Sequence, residues 1–438
     1  MGDDDHKLST GRLARLTRLA ALSAKLSQDV VSRGVKRFKG GESDSLLGEG
    51  AAEKLVATLG DLKGLAMKLG QQVSMDPDLL SPKVRAVVAR LQNQAPPMPW
   101  ATVRGVLEIE LGRPPEEAFR RFDEVPLASA SLGQVHRALT HDGVEVAVKV
   151  QYPGIARALE SDLDNVGTMV SVMGASTRLA HGKTYFAELR GAMLDELDYR
   201  KEAASAKIFA RAAAGLEQLK VPKVFDELST EKVLTLELLR GPTLKEFLEH
   251  LDAQDNGERF RASRLLIHAV WGPFLATGCI HADPHPGNFI LLDDGKVGVL
   301  DFGALKELSA PFLAANRRLF RTLCAGLPFD PMELALSSDF AFDDVASARP
   351  FVQTVVDIVT RGLKSRDFDF RTAFISRDLR AHFLANSAMV TRLKPPKESV
   401  QFFRAIGGLS HNLENLRARG DFHGVYSELV ELIPPAVG

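Results

Sequence analysis

The octapeptide His281-Ala282-Asp283-Pro284-His285-Pro286-Gly287-Asn288, followed thirteen residues later by Asp301-Phe302-Gly303, constrains this chain more than any other stretch. It supplies an aspartate, an asparagine five residues on and a second aspartate eighteen residues on. Phosphoryl transfer from a nucleotide calls for such a set: one carboxylate beside the attacking oxygen, and an amide oxygen with a second carboxylate for Mg²⁺.

At 438 residues the chain can bury one large core or two moderate ones. Its 45% apolar and 25% charged residues are ordinary for a soluble globular protein. A formal net charge of −1 gives no field that would gather nucleic acid, so no nucleic-acid partner is expected. Only two cysteines occur, Cys279 and Cys324, which excludes a disulfide framework and a cysteine zinc cluster and suits a reducing cytosol. Cys279 has no partner at metal-ligand spacing and is expected to be a buried small hydrophobe. The acidic start, Met1-Gly2-Asp3-Asp4-Asp5, does not read as a secretory signal. No run reaches the roughly 18 apolar residues of a membrane span. The expected location is cytoplasmic, with attachment to the inner face of a membrane as the alternative.

Four regions are expected: a basic N-terminal segment (1–49), a helical extension (50–117), a sheet-bearing lobe with a helical insertion (118–241) and a helical lobe carrying the catalytic and metal-binding loops (242–438). Residues 8–40 read as an amphipathic helix, with Leu13, Leu16 and Ala20 at helical spacing among Arg12, Arg15, Arg18, Lys25, Arg33, Lys36 and Arg37. Two readings stand: a solvated helix packing on the body, or a peripheral helix lying on an anionic membrane surface. In a second helical stretch, 50–75, Lys68, Gln71 and Gln72 share one face. A third helix near 82–94 stops at Ala95-Pro96-Pro97-Met98-Pro99, and 101–111 read as helical again. Strands are expected at Phe122–Ala128, Gln134–Thr140 and Glu145–Val150, with Asp142-Gly143 as a turn. Then come a helical stretch after Pro153, a long helix from Tyr185 to about Ala213, and strands near Val224 and at Val233–Leu238. Helices follow from Thr243, interrupted by a hairpin at 289–300 that turns on Asp293-Asp294-Gly295.

Strand 145–150 contains Val146-Ala147-Val148-Lys149, the position of the phosphate-binding lysine in a kinase sheet. Such an ammonium needs a carboxylate, and the helix expected at 185–213 offers Glu188, Asp195, Glu196, Asp198 and Glu202. Asp195, Asp198 and Glu202 are expected on one face. Where kinases carry a glycine-rich loop, this chain has Ala128-Ser129-Ala130-Ser131-Leu132-Gly133-Gln134. Alanine does not share glycine's access to positive φ, so this loop should be stiffer and its amides less able to wrap a γ-phosphate. Prolines on either side of His285 oppose a helical H-x-x-x-H metal site. His281 is expected to orient its loop through hydrogen bonds.

With these residues the chain resembles the UbiB/AarF family of atypical, protein-kinase-like proteins associated with isoprenoid-quinone metabolism. Lys68-Leu69-Gly70-Gln71 is similar to the family's K-x-G-Q, Ala128–His136 to its alanine-rich loop, and Glu196-Leu197-Asp198 with Glu202 to its E-x-D element and lysine-pairing glutamate. The resemblance implies an α+β, bilobal protein-kinase-like fold with an N-terminal helical extension and a mostly helical C-lobe. It implies ATP or ADP with Mg²⁺ as cofactors. Asp283 is then the catalytic-loop aspartate, Lys149 a phosphate ligand paired with Glu202, and Asn288 and Asp301 the metal ligands. Ala128, Ser129, Ala130, Ser131, Gly133 and the hinge residue Glu237 border the nucleotide. Lys68 and Gln71 reach the cleft near Glu196 and Asp198 as a gate. Because the extension covers the peptide-docking face, the resemblance favours ATP hydrolysis, or action on a lipid or quinone precursor, over phosphorylation of proteins in trans. Two other functions fit parts of the pattern: a small-molecule kinase of the aminoglycoside or choline type, which uses H-x-D-x-H-x-x-N, and a non-catalytic scaffold gated by nucleotide.

Overall fold

A computed structural model of the protein describes residues 97–130, 132–161, 163–164, 190–191, 193–390, 392–396 and 398–434. The expected helices at 8–40, 50–75 and 82–94, with Lys68 and Gln71, lie outside these residues, as do Ser131, Glu188 and most of the stretch after Pro153. In chain order the elements used below are α1 (Trp100–Leu111), β1 (Arg121–Phe122), β2 (Ala128–Ser129), β3 (Gly133–Leu139), β4 (Glu145–Gln151), α2 (Tyr199–Ala212), β5 (Leu219–Lys220) and β6 (Val233–Glu237). They continue with α3 (Leu244–Glu249), α4 (Asn256–Thr277), β7 (Cys279–His281), β8 (Phe289–Leu291), β9 (Val297–Val299), β10 (Leu305–Glu307), α5 (Ala310–Cys324), α6 (Ser399–Leu416) and α7 (Phe422–Glu431). The chain divides into two compact units. Of the described residues, one unit comprises those up to Lys201 together with Phe225–Glu237, and the other comprises Glu202–Val224 and those from Leu238.

The first unit is built on an antiparallel sheet in the order β1-β3-β4-β6, with β2 also paired to β3. Strand periodicity sorts β4 by face. Val146, Val148 and Val150 are buried, while Glu145, Ala147 and Lys149 are only partly covered. The valines pack with Val103 and Leu107 of α1, one helical turn apart, and with Phe119, Ala138 and Val233. Each such side chain taken from water contributes about 1.5–3 kcal/mol. Gly112, left-handed at φ 67°, ends α1. Gly143, at φ 80°, makes the β3–β4 turn where Asp142-Gly143 led us to expect one.

Two expectations here are corrected. The single strand expected at Phe122–Ala128 is two short pairings, β1 and β2, separated by residues 123–127. Pro126, inside that gap, has no N–H to give the ladder. The long helix expected from Tyr185 to Ala213 breaks at Glu196–Asp198, and α2 starts only at Tyr199. Side chain and backbone both capture the break. Gln151 donates its amide to the Leu197 carbonyl at 2.9 Å, Tyr199 N–H reaches the Glu231 carbonyl at 2.9 Å, and Asp198 Oδ1 accepts Arg200 N–H at 3.0 Å. Asp195, Asp198 and Glu202 therefore do not share one continuous helical face.

In the second unit α4 runs from a reciprocal Asp255/Glu258 capping box to left-handed Gly278. It is buried along most of 262–275, and α6 and α7 pack against it, with α5 alongside. Pro273 sits inside it and offers no N–H. Near its C-terminus Arg317 of α5 donates to the carbonyls of Leu275 and Ala276, both at 2.7 Å, so those helix-end acceptors are satisfied. Cys279, just beyond, is buried as expected, and burial pushes its thiol up to about 12. β7 pairs antiparallel with β10, and the expected hairpin forms as β8 and β9 about Gly295 at φ 89°. The strand expected near Val224 is reduced to an isolated bridge residue; the pairing strand nearby is β5, parallel to β9.

Candidate functional site

The octapeptide begins where β7 ends. Ala282 N–H bonds the Ala304 carbonyl at 2.9 Å, and the chain then leaves the ladder through Asp283-Pro284-His285-Pro286. His281 is almost wholly buried. Its Nε2 hydrogen-bonds the carbonyl of Asp301, and because a carbonyl only accepts, the proton lies on Nε2. The ring sits beside Phe209 and Phe302, with Phe302 buried beneath it. The expected orienting role of His281 is thus a tie between the octapeptide and the Asp-Phe-Gly turn. Leu300 N–H adds a second tie, to the Asn288 carbonyl at 2.9 Å.

Asn288 folds back on Asp283. Its Nδ2 donates to the Asp283 carbonyl at 3.2 Å and to Oδ2 at 3.0 Å. With the amide nitrogen committed, the amide oxygen is the face of Asn288 left for a cation. Asp301 Oδ1 accepts Gly303 N–H at 2.9 Å. An amide oxygen and a carboxylate are hard donors of the kind Mg²⁺ takes together with substrate phosphates, so the donor set fits that ion. Among the described residues no group of three or more His, Cys, Asp and Glu side chains is arranged to hold a metal unaided. His285 Nδ1 accepts Gly287 N–H at 3.1 Å, which requires that nitrogen to be unprotonated. Burial holds the ring below its ordinary pKa, Lys245 adds to this, and the charges of Asp283 and Asp301 oppose it.

Two residues in this unit have no counterpart in the sequence expectations. Arg404 Nη2 donates to Asp283 Oδ1 at 3.3 Å, and buried Asn412 donates Nδ2 to the Pro284 carbonyl at 2.7 Å. Both project from α6, eight residues apart and so near one face. Their spacing is visible in the sequence, but nothing there says which loop that face would meet.

In the first unit Lys149 stands on β4 opposite Val135 and Leu234, with its Nζ 4.8 Å from the centre of the buried Tyr199 ring. Three residues after Tyr199 along α2 comes Glu202, which is buried and is the first residue of the second unit. Glu196 and Asp198 occupy the turn before α2. Arg200 grips the Asp198 carboxylate at 2.9 and 3.0 Å and holds it below the usual carboxylate range, against partial burial. Glu237 ends β6 opposite Val146.

Ala128 and Ser129 pair with Val135 and Gln134, and Ala130 N–H closes the turn on the Gly133 carbonyl at 2.9 Å. A Cβ on Gly133 would run into the Val150 carbonyl, so glycine is demanded there by close strand approach rather than by positive φ. Behind the loop runs a buried relay that sequence reasoning missed. Met98 N–H donates to Gln134 Oε1 at 2.7 Å; the Gln134 amide meets His136 Nε2 at 2.7 Å; His136 Nδ1 donates to the Asp123 carbonyl at 2.9 Å. Burial holds His136 below its ordinary pKa, and the Asp123 carbonyl and charge oppose the shift.

A four-stranded antiparallel path bearing a lysine, and a helical unit whose loop carries Asp283, Asn288 and an Asp-Phe-Gly turn, define a protein-kinase-like α+β protein. Residues 90–326 match the model of the ABC1 atypical kinase-like domain. The mitochondrial atypical kinase COQ8B of Danio rerio is 31% identical over 437 residues, covering 95% of this chain and 68% of that protein. The mitochondrial atypical kinase COQ8 of Saccharomyces cerevisiae is 26% identical, covering 91% and 81%. The solved complex of Rv3197 with erythromycin from Mycobacterium tuberculosis superposes with a TM-score of 0.63 at 29% identity, covering 88% of this chain and 97% of that one. The chain belongs to the ABC1, or UbiB/AarF, family of atypical kinases. Among the described residues no helix is long and apolar enough to cross a membrane.

Proposed function

We propose that this protein is an ATP- and Mg²⁺-dependent phosphotransferase or ATPase that supports isoprenoid-quinone or lipid metabolism at a membrane surface, with residues 8–40 as the membrane contact. The observation that carries the proposal is the Asn288–Asp283 hydrogen bond, joined to Asp301 through His281, in a chain of this family. Asp283 receives the proton of the attacking hydroxyl or water. Asn288 and Asp301 hold the cation by their oxygens, and Lys149 neutralises the α- and β-phosphates in partnership with Glu202. Held by those oxygens, Mg²⁺ would supply charge stabilisation for the transferring phosphoryl group. Ala128, Ser129, Ala130, Ser131 and Gly133 border the phosphates, Glu237 meets the base, and Lys68 and Gln71 gate entry near Glu196 and Asp198.

Thermal unfolding with and without Mg²⁺·ATP and Mg²⁺·ADP tests this. The wild-type transition should rise by several degrees with at least one nucleotide, and the Asp301→Asn variant should lose most of the Mg²⁺-dependent part. A wild-type transition that ignores both nucleotides would sink the proposal.

A further inference from the structure

Arg404 lies 121 residues beyond the aspartate it touches, and the 3.3 Å bond to Asp283 Oδ1 is the single polar contact described for its side chain. The two side chains are 29% and 18% exposed, so both are partly open to a ligand. A guanidinium carries five N–H donors in one plane, and this contact occupies one of them. The distance is held from behind: Asn412, on the same helix, pins the adjoining Pro284 carbonyl at 2.7 Å from a buried position. A hydroxyl that passes its proton to Asp283 must come within about 3 Å of that carboxylate. It then sits within about 6 Å of the guanidinium, and groups a bond or two from that hydroxyl come within reach of the remaining donors.

We propose, resting on the phosphotransferase reading above, that Arg404 selects phosphoryl acceptors that carry their own negative charge next to the hydroxyl, such as a phosphate monoester or a carboxylate. In the transfer the acceptor oxygen bonds the γ-phosphorus as the bond from that phosphorus to the bridging oxygen breaks. The bridging oxygen keeps the electron pair on ADP, and the hydroxyl proton goes to Asp283. With Mg²⁺ and Lys149 committed to the triphosphate, an anionic acceptor beside Asp283 needs a further cation to offset that carboxylate, and Arg404 is in contact with it. Arg404 offsets that repulsion and offers planar paired donors that match a carboxylate or phosphate. The same charge repels cationic acceptors, which separates this site from kinases acting on amino-sugars or choline.

The test compares wild type, Arg404→Lys and Arg404→Gln, each full-length and saturated with Mg²⁺·ADP, using glycerol 3-phosphate, 1,2-propanediol and choline as probes in ligand-observed NMR titrations. Wild type should bind glycerol 3-phosphate about tenfold or more tightly than the neutral and cationic probes, the worth of one charge-assisted hydrogen bond. Arg404→Gln should lose that preference, and Arg404→Lys, keeping the charge without the paired donors, should keep part of it. A merely structural role would weaken all three probes together. Equal wild-type affinities, or a preference that survives in Arg404→Gln, overturns the inference alone. A wild-type protein that neither Mg²⁺·ATP nor Mg²⁺·ADP stabilises overturns the phosphotransferase reading and the inference with it.

Discussion

Asn288 donates both to the carbonyl and to a carboxylate oxygen of Asp283, so one side chain shapes the loop and orients its neighbour's functional group. Replacing it removes a loop tie and, on the proposed function, a metal donor at once. Asn288→Ala is expected to cut Mg²⁺-dependent ATP turnover by roughly 10²-fold or more and to cost about 1.5–3 kcal/mol of stability, the range for a hydrogen bond to a charged group. Turnover at graded Mg²⁺, alongside urea unfolding, checks both numbers. Retained turnover at low Mg²⁺ would remove Asn288 from the metal site.

Asn412 has a different signature. Asn412→Leu fills similar space but leaves the Pro284 carbonyl without its 2.7 Å donor. The expected loss is about 1–3 kcal/mol, the cost of a buried acceptor left unpaired. Hydrogen exchange should then speed up at the Asn288 amide, which bonds the His285 carbonyl within the same loop. Protection unchanged there would mean that α6 does not brace the loop.

The turn between β2 and β3 separates stability from nucleotide handling. Gly133→Ala drives a Cβ into the Val150 carbonyl and should cost about 2–4 kcal/mol. Ala130→Gly keeps the N–H that bonds Gly133 while freeing φ, and should raise γ-phosphate transfer or shift the ATP/ADP preference at a cost of about 1 kcal/mol or less. Calorimetry with each nucleotide measures the second effect. Identical affinities and turnover in Ala130→Gly would refute the stiff-loop argument.

His136 gives a pH prediction. Burial depresses its folded-state pKa, so across the interval below the unfolded value the unfolded chain binds more protons than the folded one. Stability is fully present above about pH 6.5 and declines on acidification, by at most about 1.4 kcal/mol per pH unit from this residue. Buried His268, also held low by burial against the opposing pull of Glu428, adds a decline of the same sign. His136→Gln should be less stable at pH 7 yet show a shallower fall between pH 7 and 5 in denaturant titrations. An unaltered slope would show that His136 is not one of the titrating groups.

Local chemistry made part of this protein legible. The run Val146-Ala147-Val148-Lys149 marked β4 and its lysine. Asp142-Gly143 and Asp293-Asp294-Gly295 marked turns that form. Spacing singled out His281, Asp283, Asn288 and Asp301; Asn288 meets Asp283 five residues away and His281 meets the Asp301 carbonyl across one hairpin. Local pattern also misled. The Tyr185–Ala213 periodicity ran straight through a break made by Gln151 and Glu231, residues distant in sequence. The strand expected at Phe122–Ala128 gave too little weight to Pro126.

By itself the sequence determined which residue types stand at kinase spacing, which strand faces are apolar, and where glycine or proline forbids regular structure, because those properties depend on side-chain period and backbone sterics over a few residues. Only the tertiary structure decided that Arg404 and Asn412 meet Asp283 and Pro284, that Arg317 completes the end of α4, and that Gln134 and His136 carry a relay from Met98 to Asp123. Buried polar groups must find partners wherever the packed chain brings one within about 3 Å, and that geometry is a property of the whole fold rather than of any window along the chain.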